Sequence, residues 1–339
     1  MTGGPMDSPQ PTHFVPNACR DRHVLVTGGA GFIGSHLVEV LTEANPASLT
    51  VVDSFFLGKE ENLVESKARY PDLVVERMDA SDFGALRKVV ERQGTEIVFD
   101  LATIPLPYSL LEPLDAAQQN LGMAMALCEL ARLDAYQTLV HFSTSEVYGT
   151  AQKVPMAEDH PIVPLTPYAA SKAGADHIVM SHVATFGIDA VIVRPFNTYG
   201  PRQNEGSYAG LIPVAVRSAL AGEPVTVFGD GRQTRDWLFV ADAAKGALQA
   251  HQSPASRGKV FNLASGVETS VLEIVETIYD ILGEPPRINH ETPRPGDVRQ
   301  HRGSSAAAEA LFGFSLDTSL RDGLAATVDW YRSMAATGA

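Results

Sequence analysis

The sequence predicts an α/β fold, a doubly wound parallel sheet with a smaller C-terminal α/β domain over its strand ends. Three observations carry this. Short β-branched runs alternate with helical patterns through the first 200 residues, the βαβα order of right-handed parallel crossovers. The strand runs are continuously apolar rather than alternating, as strands covered on both faces are. A glycine-rich turn joins the first run to the first helix.

Taken in order, residues 1–21 are rich in Pro, Ser and Gly and are expected to form a flexible tail. They lack the charged-then-apolar pattern of a signal peptide. Strands are expected at HVLVT (23–27), SLTVVD (48–53), LVVERMD (73–79), EIVFDLA (96–102), TLVHFSTS (138–145) and DAVIVRPFN (189–197). Between them, SHLVEVLTEA places Leu37, Leu41 and Ala44 on one helical face, and AQQNLGMAMALCELARL is a second helical stretch. Past residue 200 loops such as GPRQNEGSYAGLIP and FGDGRQTRDW interrupt the pattern. The division expected is a larger domain over 22–200 and a smaller capping domain over 201–339, with part of 230–260 returning to the first.

The composition narrows the function. Of 339 residues, 26 are Lys or Arg and 40 Asp or Glu, a formal net charge of −14, which argues against coating nucleic acid or an anionic membrane. With 45% hydrophobic and 19% charged residues, the chain is not disordered, collagenous or a coiled coil. No apolar run reaches the ~18–20 residues of a membrane span, so a soluble, cytoplasmic protein is expected. Cys19 and Cys128 offer neither a disulfide framework nor zinc spacing, and no metal site is expected. An anionic ligand would have to be held by local cations against the field of the whole molecule.

The first motif is VTGGAGFIGSHL. Gly28, Gly31 and Gly34 follow a strand and open a helix, where the backbone can approach a pyrophosphate and free N–H groups face it. Asp53 ends the second strand, about twenty residues on, where a carboxylate takes the ribose hydroxyls and repels a 2′-phosphate. No arginine follows it in Ser54, Phe55 and Phe56, which favours NAD over NADP. The second motif is Tyr168 and Lys172 in TPYAASKAGAD, one helical turn apart, so the ammonium is expected to pull the phenol below its usual pKa of ~10. The third, FSTSEVYGT, puts Ser143, Thr144, Ser145 and Glu146 at a strand's carboxyl end, where open α/β sheets bind ligands.

With these motifs on the page, TGGAGFIGSHL, STSEVYG, Y-x-x-x-K, RPFNTYGPR, GDGRQTRDW and RPGDVR resemble, in order, the extended short-chain dehydrogenase/reductase family, in its branch acting on nucleotide sugars. The resemblance covers residue 22 to the C-terminus and implies a Rossmann-type domain holding NAD. It also implies a nucleotide sugar held by the C-terminal domain, and a homodimer built on helices over roughly 113–133 and 166–186. Carried over, Gly28, Gly31, Phe32, Ile33, Gly34 and Asp53 would bind NAD, with Asp79 and Ala80 near the adenine and Leu101, Ala102 and Thr103 along the cofactor. Thr144, Tyr168 and Lys172 match the catalytic triad, with Tyr168 and Lys172 also touching the cofactor, and Ser145 and Glu146 complete the catalytic set. Asn197, Arg202, Arg235 and Arg299 would hold the diphosphate. Two departures stand out: Asp100 where many relatives have histidine, and Gly303, Ser304, Ser305 and Ala306 in place of a D-x-S-K segment.

The resemblance implies oxidation at the sugar C4, with Tyr168 taking the hydroxyl proton while hydride leaves for NAD. The resulting ketone activates what C5 carries. The T-S-E run places decarboxylation of UDP-glucuronate first, 4,6-dehydration second and 4-epimerisation third, because a simple epimerase has no use for Glu146. A non-catalytic NAD-binding sensor is the reading from another class, and the intact triad speaks against it.

Overall fold

In the computed structural model, residues 17–206, 209–292 and 299–337 are described. The main sheet is built from β1 (His23–Thr27), β2 (Ser48–Asp53), β3 (Val74–Arg77), β4 (Ile97–Asp100), β5 (Thr138–Phe142) and β6 (Asp189–Pro195). The later strands are β7 (Asn197–Tyr199), β8 (Val225–Phe228), β9 (Thr234–Phe239), β10 (Val260–Leu263), β11 (Glu268–Ser270) and β12 (Ile288–Glu291). The first of the sheets has the order β10-β6-β5-β4-β1-β2-β3, every neighbouring pair parallel. The order reverses between β1 and β4, which opens a crevice at the strand ends. β11-β9-β7 and β12-β8 form two small sheets over that end.

The helices of the first half are α1 (Phe32–Glu43), α2 (Val64–Arg69), α3 (Phe83–Gln93), α4 (Leu106–Leu111), α5 (Pro113–Arg132) and α6 (Pro167–Phe186). Those of the second are α7 (Leu211–Leu220), α8 (Val240–Gln252), α9 (Val271–Leu282), α10 (Ala306–Phe312) and α11 (Leu320–Thr337). Alternation along β1 explains the layering. Val24 and Val26 pack with Leu37 and Leu41 of α1 and Ala247 and Leu248 of α8, while Leu25 faces the opposite layer with Leu86 of α3, Leu127 of α5 and Val179 of α6. A separate core of Ile212, Val216, Ile274, Ile278, Leu324 and Val328 holds α7, α9 and α11 together.

β10 pairs with β6, and α8 packs on α1. The tail expectation needs correction at its end. Asn17–Cys19 forms a short 3₁₀ turn, and Cys19 is fully buried in the α1/α8 layer because its small apolar side chain completes that core. Residues 1–16 lie outside the described residues. The expected strand at 138–145 stops at Phe142, where a 3₁₀ turn over Ser145–Tyr148 begins after Thr144.

Candidate active site

The glycine turn is dictated by contact. Gly28 has φ +66°, and a Cβ there would lie 2.7 Å from the Ala102 nitrogen. A Cβ on Gly34 would overlap the Gly28 carbonyl oxygen. No side chain caps the N-terminus of α1, so its first amides remain open to the cavity alongside it. Phe32, Ile33, Asp79, Ala80, Leu101, Ala102, Thr103, Tyr168 and Lys172 line that same cavity, together with Gly28, Gly31, Gly34 and Asp53. Asp53 is held rigidly: Oδ2 accepts from Ala30 N at 2.9 Å and Oδ1 from Phe55 N at 2.8 Å. An open helix N-terminus for the pyrophosphate and a fixed carboxylate for the ribose fit a dinucleotide.

A cation invisible in the local sequence does stand near Asp53. Arg77 is its register partner on β3, stacked 3.9 Å from the Phe55 ring centroid and paired with Glu60 at 3.1 Å. Asp53→Ala is therefore expected to weaken NAD by about 1.5–3 kcal/mol, roughly tenfold or more, and to weaken NADP less. Competitive titration of the two cofactors checks this; equal losses for both would contradict it.

A second cavity, of about 830 Å³, is large enough for a nucleotide sugar, since ligand cavities run about 300–1,000 Å³. It is lined by Thr144, Ser145, Glu146, Tyr168, Asn197 and Arg235, and it meets the first at Ile33, Thr103, Ser143, Tyr168 and Pro195. A hydride donor in one cavity and an acceptor in the other would thus meet over Tyr168. Thr144 is held by its own turn, its Oγ1 accepting from Glu146 N at 3.2 Å. The Tyr168 hydroxyl is hydrogen-bonded by Thr144 and Thr103, and Ser109 Oγ accepts from Tyr168 N at 3.1 Å, which seats the start of α6.

The electrostatics correct one expectation. Burial, with the Glu146 charge behind it, pushes Tyr168 up to about 12 against the two threonine hydrogen bonds. Lys172 is itself buried and held down by that burial, and its Nζ donates to the Phe142 carbonyl at 2.7 Å. The i, i+4 spacing puts Lys172 one turn from Tyr168 on α6, but desolvation of the phenolate wins. Burial also raises Glu146, with Arg235 opposing.

Two of the four diphosphate candidates are placed elsewhere. Arg202 Nη2 pairs with Glu39 of α1 at 3.0 Å and with Glu65 at 3.5 Å, tying its loop to the first domain. Arg299 is 76% exposed, 3.5 Å from Asp230. Neither lines the larger cavity, because each guanidinium finds a carboxylate nearer at hand. The altered late segment is structural: Gly303 N donates to Asp236 Oδ2 at 3.0 Å, and a Cβ on Gly303 would press on Phe196. Ser305 Oγ bonds the Ala264 backbone.

Sequence reasoning missed His301. It is buried against Phe196, hydrogen-bonds the Ser145 backbone and brings Nδ1 within 3.4 Å of Asn197 Nδ2, so it joins the T-S-E turn to the substrate side. Burial and Arg235 hold it down to about 4, hence neutral. A lone histidine in a polar loop gives no pattern to read.

The model of the NAD dependent epimerase/dehydratase family matches residues 24–264. The chain belongs to that family. It is 36% identical over 318 residues to a dTDP-glucose 4,6-dehydratase of Actinoplanes, covering 91% of this chain and 98% of that one. It is 34% identical over 313 residues to a UDP-glucose 4-epimerase of Mycolicibacterium smegmatis, with the same coverage of 91% and 98%. The dTDP-glucose 4,6-dehydratase DesIV of Streptomyces venezuelae, solved with NAD bound, superposes with a TM-score of 0.83 at 31% identity, covering 91% of this chain and 97% of that one. NAD is the cofactor of this epimerase/dehydratase family member, and the cavity under β1 and α1 fits it. No helix among the described residues is long and apolar enough to cross a membrane.

Proposed function

We propose that the chain is a nucleotide-sugar 4,6-dehydratase: it oxidises the sugar at C4, eliminates water across C5 and C6, and restores its cofactor. The charge inventory of the larger cavity carries this reading. Among its described lining residues are the carboxylates of Glu146 and Glu291 and one cation, Arg235. A nucleoside diphosphate already occupies that cation. A C6 carboxylate would add an anion beside Glu146 with no further described cation to meet it, and unpaired buried charge is costly. A C6 hydroxymethyl group is neutral and carries no such penalty. With Arg202 and Arg299 engaged elsewhere, dehydration moves ahead of the decarboxylation that the motifs alone favour.

The residues divide the work as follows. Tyr168, as phenolate, takes the proton of the sugar 4-hydroxyl, and Thr144 hydrogen-bonds the same oxygen. Bound NAD supplies the acceptor for the C4 hydride, which later returns to C6. The 4-ketone acidifies C5, and the Glu146 carboxylate takes the C5 proton and passes it to the departing 6-hydroxyl, which leaves as water. C5 then gains a proton from an exchangeable group, so C4 ends oxidised, C6 reduced and the sugar one water lighter. Burial raises Glu146 above the usual carboxylate range against the pull of Arg235, which favours a group that serves as base and then acid. Asn197 and Arg235 are the proposed holders of the diphosphate.

One observation favours decarboxylation of UDP-glucuronate as the second reading. Arg235 lines the same cavity as Glu146 and lowers its pKa against burial, so a C6 carboxylate beside Glu146 would meet one cation in that cavity. Mass spectrometry of nucleotide sugars incubated with the protein separates the cases. Loss of the mass of water is expected from a nucleotide hexose. Loss of carbon dioxide from a nucleotide hexuronate would replace this reading with the second. An unchanged mass with an altered sugar would make the chain an epimerase, and no turnover at all would leave the sensor.

The domain division and the assembly are proposals too. Residues 22–200, with α8 and β10, serve the cofactor, and the remainder of 201–339 serves the nucleotide sugar. Leu111 and Leu114 at the α4/α5 junction are 73% and 72% exposed, and Met125 on α5 and Phe186 on α6 are exposed as well, which supports a homodimer through α5 and α6. Sedimentation is expected to return twice the 36.3 kDa chain mass; a monomer at micromolar concentration would overturn this.

A further inference from the structure

The loop that follows β7 supplies a wall to both cavities, and the proposed reaction gives it no part. Gln203 lines the larger cavity, and its neighbour Asn204 lines the cofactor cavity. Among the described residues, Asn204 is the only one beyond residue 200 to do so. A side chain from the substrate side therefore reaches into a cavity otherwise built by the first domain.

The loop is fastened on two sides. Toward the first domain, His36 Nε2 of α1 donates to the Pro201 carbonyl at 3.0 Å. One turn along the same helix, Glu39 pairs with Arg202 Nη2 at 3.0 Å. Glu39 also pairs with Arg69 of α2 at 3.1 Å, and Glu65 of α2 stands 3.5 Å from Arg202. The Arg202 and Glu39 side chains are only 11% and 19% exposed, so water screens this pair less than a surface bridge. On the other side, Tyr331 Oη of α11 donates to the Gln203 carbonyl at 3.0 Å, and Arg217 of α7 pairs with Glu205 at 3.2 Å. Arg202 holds its place at a conformational cost. Its φ is +65°, in the left-handed region that glycine tolerates and a longer side chain resists. Such a residue persists where surrounding bonds over-determine it, as these do.

The anchor also indicates which part of the cofactor Asn204 meets. His36 lies one turn from Phe32, and the two rings meet edge-on with centroids 6.3 Å apart. Phe32 opens α1 and lines both cavities, so the loop is pinned beside the helix start that receives a pyrophosphate. A carboxamide there has an N–H to give to that anion.

We propose that Asn204 is a cofactor-binding residue supplied by the substrate-side loop: its carboxamide donates to the NAD pyrophosphate, and the Arg202–Glu39 pair is the positioning device that holds it there. The assignment concerns retention of the cofactor and goes beyond the dehydratase reading, whichever sugar reaction follows. A cofactor that is reduced and reoxidised in place must not leave between the two steps, and this loop slows its leaving.

The test follows exchange of bound NAD for isotopically labelled NAD in the holoenzyme, read by mass spectrometry, beside unfolding curves at saturating NAD. A hydrogen bond to a charged group contributes about ten- to a hundredfold, and such losses fall mostly on dissociation. Asn204→Ala should therefore exchange NAD about tenfold faster or more. Asn204→Asp should exchange faster still, because a carboxylate would face a phosphate. Exchange by both at the wild-type rate overturns the contact. Slower exchange by Asn204→Asp would show that residue 204 meets a ribose hydroxyl, which overturns it as well. Arg202→Gly removes the guanidinium yet suits the left-handed turn, and it should exchange as fast as Asn204→Ala. Glu39→Gln is the second variant should Arg202→Gly not fold. Joining Asn204→Ala to Arg202→Gly should add little, since both remove one hydrogen bond. Arg202→Lys keeps a charge for Glu39 and should return exchange close to the wild-type rate. A lowered unfolding midpoint of Arg202→Gly with unchanged exchange would make the pair merely structural. That result, or Arg202→Lys exchanging as fast as Arg202→Gly, overturns the positioning role.

Discussion

Tyr168→Phe is expected to slow NADH formation from the bound cofactor by about 10²–10⁴, the usual loss for a missing general base, with NAD content and unfolding midpoint near wild type. The substitution removes one hydroxyl facing two cavities and leaves no void, so no large stability mechanism applies. The hydroxyl's partners, Thr144 and Thr103, can turn to water. The pH dependence carries a sign. Burial and Glu146 raise Tyr168 to about 12, so the base form grows with pH and the wild-type rate should climb with it before any alkaline limb. Stopped-flow absorbance of NADH checks both points. A Phe variant within a few-fold of wild type would remove Tyr168 from the chemistry.

Glu146→Gln is expected to have an effect of the same size, about 10²–10⁴, at a different step. The variant should still form NADH, because the C4 oxidation needs only Tyr168 and Thr144, but it should stall with C5 protonated and release no water. It should also move the rising limb of NADH formation to lower pH, since the charge of Glu146 is one of the causes that hold Tyr168 up. Coupled absorbance and product mass separate the two effects. Normal release of dehydrated product by Glu146→Gln would show that the carboxylate only braces the turn after Thr144.

The parallel sheet and the glycine turn were readable because both are local. A continuous apolar run reports a strand covered on two faces, and the turn must approach Ala102 at Gly28. Asp53, Asp79 and the Leu101–Thr103 stretch line one cavity because strand ends converge at the crevice between β1 and β4. What depends on distant partners was not readable. Arg202 finds Glu39 across 163 residues of chain, and His301 meets Asn197 across 104. The i, i+4 spacing of Tyr168 and Lys172 reports their adjacency and says nothing of how dry the site is, so the direction of the phenol's shift could not be read from it. Asp100 was visible as an unusual residue, but its partner His141 lies on the next strand.

The central claim, elimination through a C5 proton taken by Glu146, is tested most directly by turnover of a nucleotide hexose in deuterium oxide. The C5 proton leaves with the water, so its replacement must come from solvent. The expected product has lost the mass of water and carries one deuterium, located at C5 by fragmentation. A product of unchanged composition without deuterium would contradict elimination and point to epimerisation, in which hydride returns to C4 and C5 is never touched.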